Sequence, residues 1–163
     1  MLFMLNRHGV KNCGWRFPTA EGLIISDYDD PENAFAAVPD TDYALYGSNP
    51  PDLSLSGDAG LTYSDEANCV WTNTPTVYTY GGPNDLWGLA WTVGMLQDGQ
   101  FTIFLDNTSW NTRGQDYYNF GFSIPLTATI TGIEVQVRAR YWTAYGFDKL
   151  YLYYIRARVY YTR

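Results

Sequence analysis

The chain is short of the residues from which most active sites are built. It has one histidine, His8, and two cysteines, Cys13 and Cys69, among 163 residues. A site of several histidines is excluded, and with His8 read as a surface residue of an N-terminal stretch, no nucleophile–histidine machinery is expected. The two thiols fit no zinc or redox spacing and are expected to be free. No window approaches the roughly 18 apolar residues of a membrane-spanning helix, so no membrane insertion is expected. The apolar run Met1–Leu5 precedes Arg7 and His8, which reverses the order of a secretory leader. No exported precursor is therefore expected, and the sequon at Asn107–Ser109 reads as a turn.

Lysine is scarce as well, at positions 11 and 149 alone, whereas 15 Tyr and 6 Trp help bring the aromatic share to 18%. That composition favours strands over helices, and the length suits one domain with its own core. Charge is divided unevenly. Residues 1–68 hold eleven acids against Arg7, Lys11 and Arg16, a net −8; residues 69–163 hold six acids against seven bases, a net +1. An acidic front lacks the clustered Lys and Arg that phosphate contacts require, so no direct nucleic-acid binding is expected and a basic protein surface is the better match.

Proline and turn residues punctuate the front half at Pro31, Pro39, Pro50 and Pro51. Only "PENAFAAV" (residues 31–38) suits a short helix, since Pro31 fits a first helical position and the alanines favour helix. Residues 1–68 are accordingly expected to form an irregular acidic arm, with a domain over residues 69–163. "DYDDPEN" (Asp27 to Asn33) is the densest carboxylate cluster, but it lacks the glycine and distal glutamate of a calcium loop. It reads as an acidic turn facing solvent or a partner.

From residue 69 onward "CVWTN", "TVYTY", "LWGLAWTVGML", "QFTIFLD", "YYNFGFSI", "TITGIEVQVRARYW" and "KLYLYYIRARVYYT" are seven candidate strands separated by turn residues. Their spacing predicts an all-β fold, an antiparallel β-sandwich of jelly-roll-like form. Ile133, Val135, Val137, Ala139 and Tyr141 alternate with Glu134, Gln136, Arg138 and Arg140, so one face is core. Ile155, Ala157, Val159 and Tyr161 alternate with Arg156, Arg158 and Tyr160 in the same way. Leu150, Leu152 and Tyr154 lie on the opposite parity, which predicts a bulge near Tyr153 and Tyr154. If the two strands are neighbours, Arg138, Arg140, Arg156 and Arg158 share a face with Glu134 alone to offset them, and the missing charge is expected from the acidic front half, folded back or contributed by an adjacent subunit.

"WTNTP" (Trp71 to Pro75), "NFGFSIP" (Asn119 to Pro125) and "TATITGIEVQVRA" (Thr127 to Ala139) together resemble a β-sandwich module found in structural proteins of tailed bacteriophages and prophages. The resemblance spans roughly residues 69–163 and concerns fold and context rather than catalysis. It implies a virion structural protein, with capsid decoration or cement as the leading role and tail or collar placement as the rival. The implied partners are the major capsid protein and copies of the chain itself, a trimer by analogy. The implied location is the capsid exterior, after assembly in the host cytoplasm.

On that expectation Leu2, Phe3 and Leu5 anchor the chain in a neighbour, Asp27, Asp29 and Asp30 complement basic surface, and Arg138, Arg140, Arg156 and Arg158 form a binding stripe. Another class of reading is a glycan- or receptor-binding module, with Trp87, Trp91, Trp110, Tyr117, Tyr118, Trp142 and Tyr145 as a stacking platform. Asp85, Asp98, Asp106, Asp116, Glu134 and Asp148 fall mostly at turn positions rather than as a hydrolytic pair. No enzyme, metal or cofactor is expected.

Overall fold

The computed structural model of the protein describes residues 9–21, 44–46, 51–107, 113–144 and 147–163. It is an all-β architecture of two antiparallel sheets around one core. The strands are β1 (Lys11–Asn12), β2 (Ala20–Glu21), β3 (Ala44–Tyr46), β4 (Asp52–Ser56), β5 (Ala67–Asn68), β6 (Thr76–Gly81), β7 (Thr102–Asn107), β8 (Arg113–Tyr118), β9 (Thr129–Ala144) and β10 (Phe147–Thr162). The first sheet runs β1-β10-β9-β6, with β3 also paired to β10, and the second runs β2-β8-β7-β4-β5. The helix expected over residues 31–38 lies outside the described residues.

The paired strands β9 and β10, sixteen residues each, are the longest elements. Ile133, Val135, Val137 and Ala139 of β9 and Leu150, Leu152, Ile155, Ala157 and Val159 of β10 are each 0% exposed. Strict alternation puts them on one face, and the register shift between Leu152 and Tyr154 lets Leu152 and Ile155 both point inward. Tyr154 does not follow Leu150 and Leu152: it pairs with Arg138 on the outer face. A second irregularity skips Thr131 beside Gly132, where a Cβ would run into the backbone of Gly82 and Pro83.

The front of the chain is more deeply built in than its composition predicts. Leu53 and Leu55 are 0% exposed in β4, an interior strand of the second sheet, so the expected boundary at residue 68 cuts through the core. "DLSLS" is a period-2 pattern whose two leucines suffice because Ser54 and Ser56, on the other face, are covered as well. Residues 11–21 are not a free arm either. β1 pairs with β10, Arg16 exchanges both backbone hydrogen bonds with Ala157, and β2 pairs with β8, so this segment stitches one sheet to the other along one side.

Three expected strands are something else. Residues 69–73 form the crossing from β5 to β6, with Trp71 buried. Residues 86–96 form turns and a 3-10 turn at Gly94–Leu96 that plug the core with Trp87, Trp91, Val93 and Leu96. Trp87 and Gly88 have φ of 53° and 71°, which no strand tolerates. The NFGF stretch leaves β8 after Tyr118 because Asn119 and Gly121 are left-handed, at φ 59° and 61°. Those two reversals turn Phe120 and Phe122 together onto Phe101, with centroids 5.3 and 5.2 Å from it.

Leu53→Ala is expected to lower unfolding free energy by about 2–5 kcal/mol in a denaturant titration. A loss below about 1 kcal/mol would contradict an interior position for β4.

Candidate functional site

Two surface features stand out: the arginine-bearing outer face of the first sheet, and the side of the sandwich where β6 and β5 end the two sheets. Register makes the first. Arg158 lies opposite Glu134, Arg156 opposite Gln136, Tyr154 opposite Arg138 and Tyr151 opposite Arg140. Arg158 donates from Nε and Nη2 to Glu134 Oε2 at 3.1 and 2.8 Å, and the Tyr160 hydroxyl donates to the same oxygen at 2.5 Å. Burial and the Glu134 carboxylate both push the Tyr160 phenol up. Arg156 donates to Gln136 Oε1 at 3.1 and 2.7 Å, and Gln136 passes a bond on to Thr79.

Among the described residues, aromatic faces cover these guanidinium groups. Trp15 lies 4.3 Å from Arg158 and 4.6 Å from Arg156, while Phe17 packs edge-on against Tyr154. Arg140 stands over Tyr151 at 4.3 Å and Arg138 over Tyr153 at 5.4 Å. Of the acids expected to form a counter-layer, Asp27, Asp29 and Asp30 lie outside the described residues, and a planar guanidinium also stacks well on aromatic faces. Of the residues proposed as partner contacts, the four arginines come together on this face. Leu2, Phe3, Leu5, Asp27, Asp29 and Asp30 lie outside the described residues. Trp15 and Phe17 were the missed members, and their signal is "CGWRFP", two aromatics bracketing a basic residue before a proline.

The carboxylates of the back half are engaged one by one. Asp85 accepts the Trp87 backbone N–H and Asp98 that of Gly121, both fixing turns. Asp106 faces Asp52 across β7 and β4, and burial with that like charge raises its pKa. Asp116 is raised by burial and accepts the Tyr63 hydroxyl at 3.4 Å, while Tyr63 is itself pushed up to about 12. The side chain of Asp148 lies outside the described residues. Asp58, in the loop after β4, accepts from Thr62 Oγ1 and N and from Ser56 Oγ, which holds its carboxyl down to about 2.

Cys13 and Cys69 are both free. Burial pushes the Cys69 thiol up to about 12, so it stays a neutral core group beside Tyr80. The proposed sugar platform loses three members to the interior: Trp87, Trp91 and Tyr117 are 5%, 7% and 0% exposed. Tyr118 is half-buried; Trp110, Tyr145 and the Trp142 side chain lie outside the described residues.

The second feature is the open side. β6 pairs with β9 on one side, and among the described residues nothing pairs with its other side. A cleft of about 460 Å³ lies beside it, lined by Asp65, Glu66, Thr79, Tyr80, Asp85 and Trp87 among others.

No family model, characterised protein or solved structure matches this chain.

Glu134→Ala, which strands the Arg158 guanidinium and the Tyr160 hydroxyl, is expected to cost about 2–3 kcal/mol by chemical denaturation. Glu134→Gln keeps an acceptor and should cost less than the alanine variant. Equal losses would show that the charge-assisted bonds are not what holds this position. The Asp58 contribution has a definite sign. With its folded value about 2 against 3.8, the loop is stabilised above pH 3.8 and loses that support as pH falls through about 2. NMR titration should place the Asp58 carboxyl near 2, and Thr62→Ala should move it toward 3.8.

Proposed function

We propose that the chain is a structural protein of a tailed-bacteriophage virion, a decoration or cement protein on the capsid exterior. The observation that carries the reading is where the residues of the phage-module resemblance lie. Trp71 is buried and donates to Tyr80, Thr72 accepts the Tyr141 backbone N–H, Phe120 and Phe122 close over Phe101, and Ile133, Val135 and Val137 fill the core. The aromatic and aliphatic residues among them are packing nodes, which supports a likeness to a scaffold that presents surfaces.

The mechanism is mechanical. A decoration protein adds buried area across joints between shell subunits, and a specific interface of standard size buries roughly 1,200–2,000 Å². Internal genome pressure must then break more contacts before the shell opens. On this reading Leu2, Phe3 and Leu5, with the acids Asp27, Asp29 and Asp30, make the anchor to the major capsid protein. Copies gather about a symmetry axis of the shell, a trimer by analogy with other decoration proteins, after assembly in the host cytoplasm. A jelly roll carries consecutive strands from sheet to sheet. Because the β7–β8 and β9–β10 pairs each stay within one sheet, the reading rests on the two-sheet architecture and not on that topology.

Stoichiometry in purified particles tests the assignment. A band at 18.6 kDa standing to the major capsid band as one to one, or as one to a small integer, is the expected result. A few copies per particle would move the protein to the tail or collar. Absence from particles would overturn the virion reading.

A further inference from the structure

The two long sides of the sandwich are finished differently. On one side residues 11–21 run from β1 of the first sheet to β2 of the second, covering the outer edges of β10 and β8. On the other side, among the described residues, the sheets end in β6 and in the two-residue β5, with the acidic cleft between them.

Backbone parity shows what β6 offers there. Ala157 exchanges both of its backbone bonds with Arg16, away from β9, so its neighbours Arg156 and Arg158 turn theirs toward Gln136 and Glu134. Along β9 the alternating residues Ile133, Val135 and Val137 therefore turn toward β6. Gly82 donates to the Ile133 carbonyl at 3.0 Å, which fixes the same parity independently. Tyr78 and Tyr80, opposite Val137 and Val135, are used in the ladder, while Val77 and Thr79 direct their N–H and C=O groups to the open side.

Unpaired main-chain groups in a row form a template for another strand. Natural edges are usually guarded by lysine, proline, a bulge or shortness. The sequence of β6, Thr-Val-Tyr-Thr-Tyr-Gly, has neither charge nor proline, and it is six residues long. Val77 is 45% exposed, and Val70 in the crossing from β5 is 74% exposed.

The cleft beside the edge selects the partner's charge. Asp65, Glu66 and Asp85 line it, and among the described residues no Lys or Arg does. Thr79 and Tyr80 form its β6 wall, so a side chain of an added strand would reach the carboxylates. A second copy of this chain is a poor occupant, because it carries the same net −7 and the same acids. We infer that β6 and the adjacent cleft take up an extended, basic peptide segment of another chain, which adds a strand to the first sheet and places Lys or Arg among Asp65, Glu66 and Asp85. The inference concerns the isolated chain and does not depend on the virion assignment.

The full chain, labelled with ¹⁵N, is titrated with a capped octapeptide alternating Val and Lys, and separately with one alternating Val and Glu. The lysine peptide is expected to shift the Val77 and Thr79 amide signals and slow their hydrogen exchange; the glutamate peptide should leave both unchanged. Val77→Pro removes an outward N–H that the β6–β9 ladder does not use, so it should preserve the fold and abolish the response. Glu66→Gln combined with Asp85→Asn should weaken binding about tenfold. Equal responses to both peptides, no response to either at about 1 mM, or Val77 and Thr79 amides already protected in the free chain would each overturn the inference.

Discussion

Burial of the inner face of the β9–β10 pair is the constraint on which the rest of this structure depends. Nine aliphatic side chains on its inner face are fully removed from water, and at roughly 1.5–3 kcal/mol for a large one this face dominates the stability. The outer face has a different problem, four guanidinium groups on adjacent strands. Glu134 and Gln136 pair two of them, and Trp15, Phe17, Tyr151, Tyr153, Tyr154 and Tyr160 supply ring faces. Each stacked cation is worth only about 0.5–1 kcal/mol at an exposed site. That layer therefore contributes less to stability than to position: it holds the N-terminal segment against β10, and that segment bridges the two sheets.

Among the described residues, the result is a sandwich with one stitched side and one open side. Irregular segments fill the space that the sheets leave, Trp87 and Trp91 plugging the core and donating their indole N–H groups to the Ile133 and Leu86 carbonyls. Buried indoles used in this way are unavailable for stacking on sugars. An edge with free main-chain groups and carboxylates beside it is the kind of surface on which strand addition occurs, and it agrees with the acidic balance of the chain.

The strongest pattern in the sequence was also its most legible. Five apolar positions at period 2 in β9, and the parity change in β10, fixed the core face and the bulge at Tyr153 because a single-residue slip would have buried charge. β4 was hidden: two leucines between Asp52 and Ser56 look like loop composition, and only covering by neighbouring segments makes them core. The tryptophan-rich stretch 86–96 was misread for the opposite reason. Aromatic and apolar residues favour strands and core plugs alike, and the positive φ of Trp87 leaves no trace in composition. As for the site, the four arginines were found by alternation, but their partner Trp15 is distant in sequence and no periodic signal joins the two. The β6 edge was legible only as "TVYTY", a strand without guards; which of its sides is free is a property of the assembled sheet.

Native-state hydrogen exchange tests the central claim most directly. If the β9–β10 pair organises the fold, its inner amides, those of Val135, Val137 and Ile155 among them, should exchange only through global unfolding, with the strands of the second sheet no slower. Opening of β9 and β10 at a free energy well below the global value, while β4 and β7 stay protected, would contradict it.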